Sequence, residues 1–208
     1  MIIVNVNKTD NIELFQQRNK NNDFTLIARD CVGGILYHQL GLKFLSPTIN
    51  LFFMPEEFND FCLNLKEYID AELKELVDSD ASYPVGVLYP NDTSLKPLRV
   101  DFMHYASFDI AKAKWEERKR RINWDNIYVL STFCYPREIA TYSDELVKKW
   151  NLIKYKKVML VDKHYGFDDE FIIDKPKECQ EYAWLLYKED NSWKRTFNKF
   201  DFINFLNE

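Results

Sequence analysis

Short apolar runs alternate with segments of helical periodicity along most of this chain, and that alternation limits the folds open to it. Thr25–Ala28 (TLIA) reads as a strand buried on both faces. Val32–Leu40 follows as a short helix, with Gly41 placed to end it. The longest helical pattern starts at Pro55, carries Glu56 and Glu57 in its first turn and runs to about Val77. Phe58, Phe61, Cys62, Leu65, Ile69 and Leu73 would form its buried stripe. Val85–Tyr89 and Leu98–Tyr105 read as two strands, joined through Pro90, Asn91, Asp92 and Pro97 into an antiparallel ribbon. A charged helix near Phe108–Arg121 comes next, then a strand at Asn126–Phe133. Ser143 caps a helix with Glu145 in its first turn, and Lys156–Asp162 is a further strand. A short strand at 170–174, a helix near 178–186 and an amphipathic piece at 200–208 complete the reading. Strands alternating with helices in this way predict an α/β architecture whose sheet is mainly parallel and partly antiparallel.

Length and charge narrow the class. At 208 residues without a repeat or a Pro/Gly/Ser-rich linker, the chain fits one domain over 1–208, with 1–22 a polar opening segment. A net charge of −5 argues against an electrostatic nucleic-acid binder. No apolar run reaches the roughly 18 residues of a membrane span, and the opening MIIVNVNKTDN has neither the basic nor the long apolar region of a signal peptide. The 4 cysteines are far apart with no CxxC pair, and only 3 histidines accompany them, so no metal site is expected. A reduced, cytoplasmic protein is the expectation. No motif names a cofactor.

Chemistry in an α/β sheet gathers at the carboxyl ends of the strands. Here those ends deliver Asp30-Cys31, Met103-His104-Tyr105 and Asp162-Lys163-His164. The turn DCVGG matches neither a dinucleotide fingerprint, nor a P-loop, nor a nucleophile elbow. Gly33 and Gly34 either let backbone amides approach an anion at a helix N-terminus or let that helix pack closely on the sheet. Cys31 is either a nucleophile activated by the same N-terminus or a buried thiol. His104 shares a strand face with Val100 and Phe102, which makes it either a core histidine or a strand-end base. On the charged helix, Arg118 lies on one stripe with Ala111, Trp115 and Ile122, so it needs an internal acid or a bound anion, the ion pair being the simpler expectation. Asp78–Asp80 and Asp168–Glu170 read as loop acids.

Several blocks taken together, DCVGGILYHQLGLKFLSPTINLFF, YPVG, MHY and AKAKWEERKRRINWDNIYV, resemble the bacterial family known as domain of unknown function number 1919. The resemblance runs in order from Phe24 to Val129 and more loosely to the C-terminus. It implies a Rossmann-like α/β fold, here a single-domain three-layer sandwich. Members are often described as exopolysaccharide or capsule biosynthesis proteins, and some as acetyltransferases. The positions that match the family pattern include Cys31, Gly33, Gly34, Ser46, Pro47, Thr48, His104, Tyr105, Trp115, Arg118 and Arg121. Ala28-Arg29-Asp30 departs from it, since the family reads Ser-Asn-Asn there. The resulting expectation is a transferase on a sugar or activated-sugar substrate, such as a nucleotide sugar. In it Asp30, Gly33, Gly34, Ser46, Thr48, Tyr105, Arg118 and Arg121 bind substrate, and His104 serves as general base. The alternatives are a non-catalytic binding or scaffold protein of the same pathway and an acyltransferase using Cys31.

Overall fold

The computed structural model describes residues 12–173, 186–189, 192–195 and 199–208. Four parallel strands form the central sheet: β1 (Thr25–Ala28), β5 (Ile127–Phe133), β6 (Lys156–Val161) and β7 (Glu170–Ile172), hydrogen-bonded in the order β1-β5-β6-β7. Side chains alternate across a strand, and β5 shows the consequence. Ile127, Val129 and Phe133 enter one apolar cluster, while Tyr128 and Leu130 enter another on the opposite face. The first face is covered by α3 (Pro55–Leu63), α5 (Phe108–Lys119) and α7 (Asp144–Leu152), through Phe58, Phe61, Trp115 and Trp150. The second is covered by α2 (Val32–Leu40) and α8 (Phe202–Asn207), through Leu36, Tyr37, Phe202 and Leu206. Helices therefore sandwich the sheet, as expected for an α/β chain.

Antiparallel pairing sorts into a sheet of its own, β2 (Glu72–Glu75), β3 (Val85–Tyr89) and β4 (Leu98–Asp101) in that order. The segment before α3 stitches the two sheets together. The Phe53 N–H donates to the Arg29 carbonyl at the end of β1, while Phe52 exchanges backbone hydrogen bonds with Asp101 at the end of β4. The carboxyl end of β1 thus faces the end of β4 across one extended segment. α1 (Ile12–Arg18), α4 (Leu65–Ile69) and α6 (Pro136–Ile139) complete the helices among the described residues, and β8 (Leu186–Glu189) pairs with β9 (Ser192–Arg195) as a hairpin.

Two expected elements end early. The long helix from Pro55 breaks at Asn64, whose φ of −124° and ψ of 46° are not helical, and after Ile69 the chain turns into β2. Leu73 is buried as foreseen, but from a strand, because β3 offers the segment a complete ladder from Tyr89 to Gly86. The strand from Leu98 likewise stops at Asp101. There the Phe102 N–H donates to the Pro84 carbonyl and the Tyr105 N–H closes a turn on Phe102. His104 sits on that turn, exposed, and shares no strand face with Val100. The helix expected near 178–186 lies outside the described residues, apart from Leu186 in β8.

Candidate functional site at the carboxyl end of the parallel sheet

Where β1 and β5 end, a charged network is buried among backbone groups. Arg29 follows the last residue of β1 and is 1% exposed. One of its terminal nitrogens donates to Glu138 at 2.6 Å and to Thr132 at 2.5 Å, and also reaches Asp30 at 3.2 Å; the other donates to the Phe53 carbonyl. Glu138 is fully buried on α6, where its second oxygen accepts the amides of Cys134 and Tyr135. Burial works against the Arg29 charge, but Glu138 and Asp30 more than offset it, so the guanidinium is held more firmly charged than usual. The opposite charges and the many donors are what let ions sit here at all. The Asp30 carboxylate accepts from Thr132 at 2.7 Å and from the Val32 amide at 3.0 Å. It is thereby fixed at the strand end with its side chain 17% exposed.

The turn after Asp30 opens α2. Its cap, Cys31, makes no side-chain capping bond, and the amides of Gly33 and Gly34 have no partner among the described residues. Such amides form the positive end of a helix. The two glycines differ in purpose. A methyl group on Gly33 would lie 2.5 Å from the Ala28 Cβ, so this glycine brings α2 down onto β1; on Gly34 it would lie 3.3 Å from a methyl of Ile49. Ser46 and Thr48 are fully buried, and their hydroxyls bond one another. Thr48 also accepts the Ala28 amide at 2.9 Å, so the pair braces the outer edge of β1.

Ile49 carries the next link. Its carbonyl accepts from the Tyr105 hydroxyl at 2.9 Å, and that hydroxyl accepts in turn from Arg118 at 2.6 Å. Burial raises the Tyr105 pKa, partly countered by Arg118, and the nearby Cys31 adds to the rise. Arg118 is 8% exposed on α5 and lies over the Phe44 ring. The internal acid expected for it is absent: among the described residues no carboxylate pairs with Arg118. One phenol and one ring face hold this guanidinium, and its remaining nitrogens are not among the fully buried unpartnered atoms, so they reach solvent.

The remaining candidates are arranged differently. Arg121 pairs with Glu117 one turn earlier and donates to the Phe44 carbonyl, so its charge is already engaged. His104 neighbours Tyr105 in the chain and is exposed. Cys31 is not an activated thiol, because burial, reinforced by Asp30, pushes its pKa up to about 12. Burial also raises Cys134 and Cys62. In the loop after β6, Glu170 accepts the amides of Tyr165 and Phe167, so one residue of the acidic triplet braces that loop. No group of three or more His, Cys, Asp or Glu placed to hold a metal occurs among the described residues. No helix among them is long and apolar enough to cross a membrane.

Sequence reasoning passed over Arg29, Thr132 and Glu138. The signal was present in Tyr-Pro-Arg-Glu at 135–138, with proline at the first helical position and glutamate at the third, which is the pattern of a helix start.

A profile described as "Domain of unknown function (DUF1919)" matches residues 3–207. A Haemophilus influenzae protein named "Uncharacterized protein" is 30% identical over 196 residues, covering 92% of this chain and 88% of its own length. With nearly the whole chain matched, this protein belongs to the DUF1919 family.

Proposed function

We propose that the protein is a cytoplasmic transferase acting on an activated sugar, a nucleotide sugar in particular, in the assembly of cell-surface polysaccharide. One observation carries the reading: Arg118 is buried without a carboxylate, beside Tyr105 and the Ile49 contact to the α2 turn. A charge kept in that state suits an anionic ligand, and the unpaired amides of Gly33 and Gly34 suit the same anion. In the mechanism, Arg118 and the α2 amides hold the phosphate of the donor. Asp30, fixed by Arg29 and Thr132, accepts from sugar hydroxyls. His104, exposed on the turn before Tyr105, takes the proton of the attacking hydroxyl. Acyl transfer through Cys31 loses support, since a thiol with a pKa of about 12 is almost wholly protonated at neutral pH.

Thermal unfolding in the presence of nucleotide sugars, free nucleotides and acyl-CoAs tests the proposal. A nucleotide sugar at about 100 times its dissociation constant should stabilise the fold by about 2.7 kcal/mol. That corresponds to a rise of roughly 5–10 °C for a chain of this size, and Arg118→Met should abolish it. An unchanged melting temperature with every nucleotide sugar overturns the reading. Binding without any turnover would convert it to a non-catalytic binding protein, and unaltered turnover in His104→Ala would remove the base.

A further inference from the structure

A concavity opens at the carboxyl end of β6, two strands away from β1. Two strand spacings, with a register that carries β6 three residues past the level of Ala28, put those two ends about 14 Å apart. The hollow measures about 440 Å³ and is lined by Ile139, Tyr142, Lys163, His164, Tyr165 and Gly166. That volume is within the range of about 300–1,000 Å³ usual for small-molecule sites.

Its aromatic walls are held in place. Tyr165 donates to Asp162 at 2.9 Å and packs edge-on against the buried Phe133 ring at 4.9 Å. Tyr142 donates to the Tyr165 carbonyl and lies 5.7 Å from the Tyr165 ring, yet it remains 44% exposed. Glu170 fixes the loop from within by accepting the Tyr165 and Phe167 amides and the Nδ1–H of His164 at 2.5 Å. That bond leaves the Nε2 of His164, whose side chain is 78% exposed, free to bond a hydroxyl. Lys163 lies 5.3 Å over the Tyr165 ring and has no ion-pair partner among the described residues.

Rigid exposed tyrosine, an unpaired ammonium and an outward imidazole together suit one kind of ligand. The C–H face of a pyranose ring carries slight positive charge and lies well on the negative face of an aromatic ring. Hydroxyls on its rim reach His164, and a carboxylate substituent neutralises Lys163. We propose that this hollow binds a carboxylated sugar, a hexuronic acid unit of a glycan, as the acceptor. Its role as acceptor rests on the sugar-transfer reading above, whereas the binding itself does not.

Titration calorimetry with a tetra-galacturonate, and with maltotetraose as its neutral counterpart, tests this without any nucleotide sugar present. The acidic tetramer should bind and weaken as salt rises. Tyr142→Ala and Lys163→Ala, both at exposed positions, should each reduce its affinity at least tenfold, while Arg118→Met leaves it unchanged. Equal binding of maltotetraose overturns the carboxylate requirement. No heat from the acidic tetramer, or full affinity in both hollow variants, overturns the site. Acidic-glycan binding by a protein that ignores every nucleotide sugar would sustain this inference while defeating the transferase reading. The converse result would do the opposite.

Discussion

Arg29 is a full positive charge at 1% exposure, and it survives because Glu138 at 0% and Asp30 face it. Removing one partner of such a pair leaves the other uncompensated, which costs about 3–5 kcal/mol. Glu138→Ala should therefore lose about that much in urea unfolding, since it also orphans the Cys134 and Tyr135 amides. A loss below about 1 kcal/mol would mean that water reaches the network. Gly33→Ala should cost about 1–3 kcal/mol, because its new methyl would meet the Ala28 Cβ at 2.5 Å and a packed core yields little. Gly34→Ala, facing a methyl at 3.3 Å, should cost clearly less. Cys31, with its thiol near pKa 12, should react with iodoacetamide at pH 8 about three orders of magnitude more slowly than a free cysteine. Mass-resolved labelling would show this, and rapid alkylation at Cys31 would revive the nucleophile.

At the scale of elements, α5 and α7 both start on a serine whose hydroxyl accepts an amide three residues on, Ser107 from Ile110 and Ser143 from Leu146. Ser143→Ala should destabilise the fold by about 1 kcal/mol, measured by the unfolding midpoint at constant slope; no change would mean the cap is replaced by water. Local signals of this kind made much of the fold legible. Thr25–Ala28, Val32–Leu40 with Gly41, and Val85–Tyr89 fall where their patterns predict. What escaped was set by partners distant in sequence. Nothing local tells Glu72–Glu75 to leave a helical pattern; the ladder with β3 does. The strand ends at Asp101, before His104, because the chain turns there with the Tyr105 N–H on the Phe102 carbonyl, a turn the apolar alternation did not reveal. The site shows the same division. Its glycine turn, Tyr105 and Arg118 were readable as residues, but the acid that Arg118 was expected to find is missing, and Glu138 serves Arg29 instead.

On the scale of the whole molecule, a parallel sheet sandwiched between helices presents two places at its carboxyl edge, flanking the buried Arg29 network. One joins the α2 turn through Ile49 and Tyr105 to Arg118, and the other gathers tyrosine, lysine and histidine. Transfer between an activated and an acceptor sugar needs two such neighbouring sites, one for each reactant, with water kept from the reacting atoms. The proposed transfer depends on Arg118 binding an anion. The most direct test is the unfolding free energy of wild type and Arg118→Met, each with and without pyrophosphate. Without pyrophosphate the variant should be as stable as wild type or more so, since an apolar chain replaces a guanidinium that no carboxylate pairs among the described residues. Pyrophosphate should stabilise wild type alone. A variant destabilised by several kcal/mol without ligand, with pyrophosphate leaving wild type unchanged, would make Arg118 a structural residue and contradict the account.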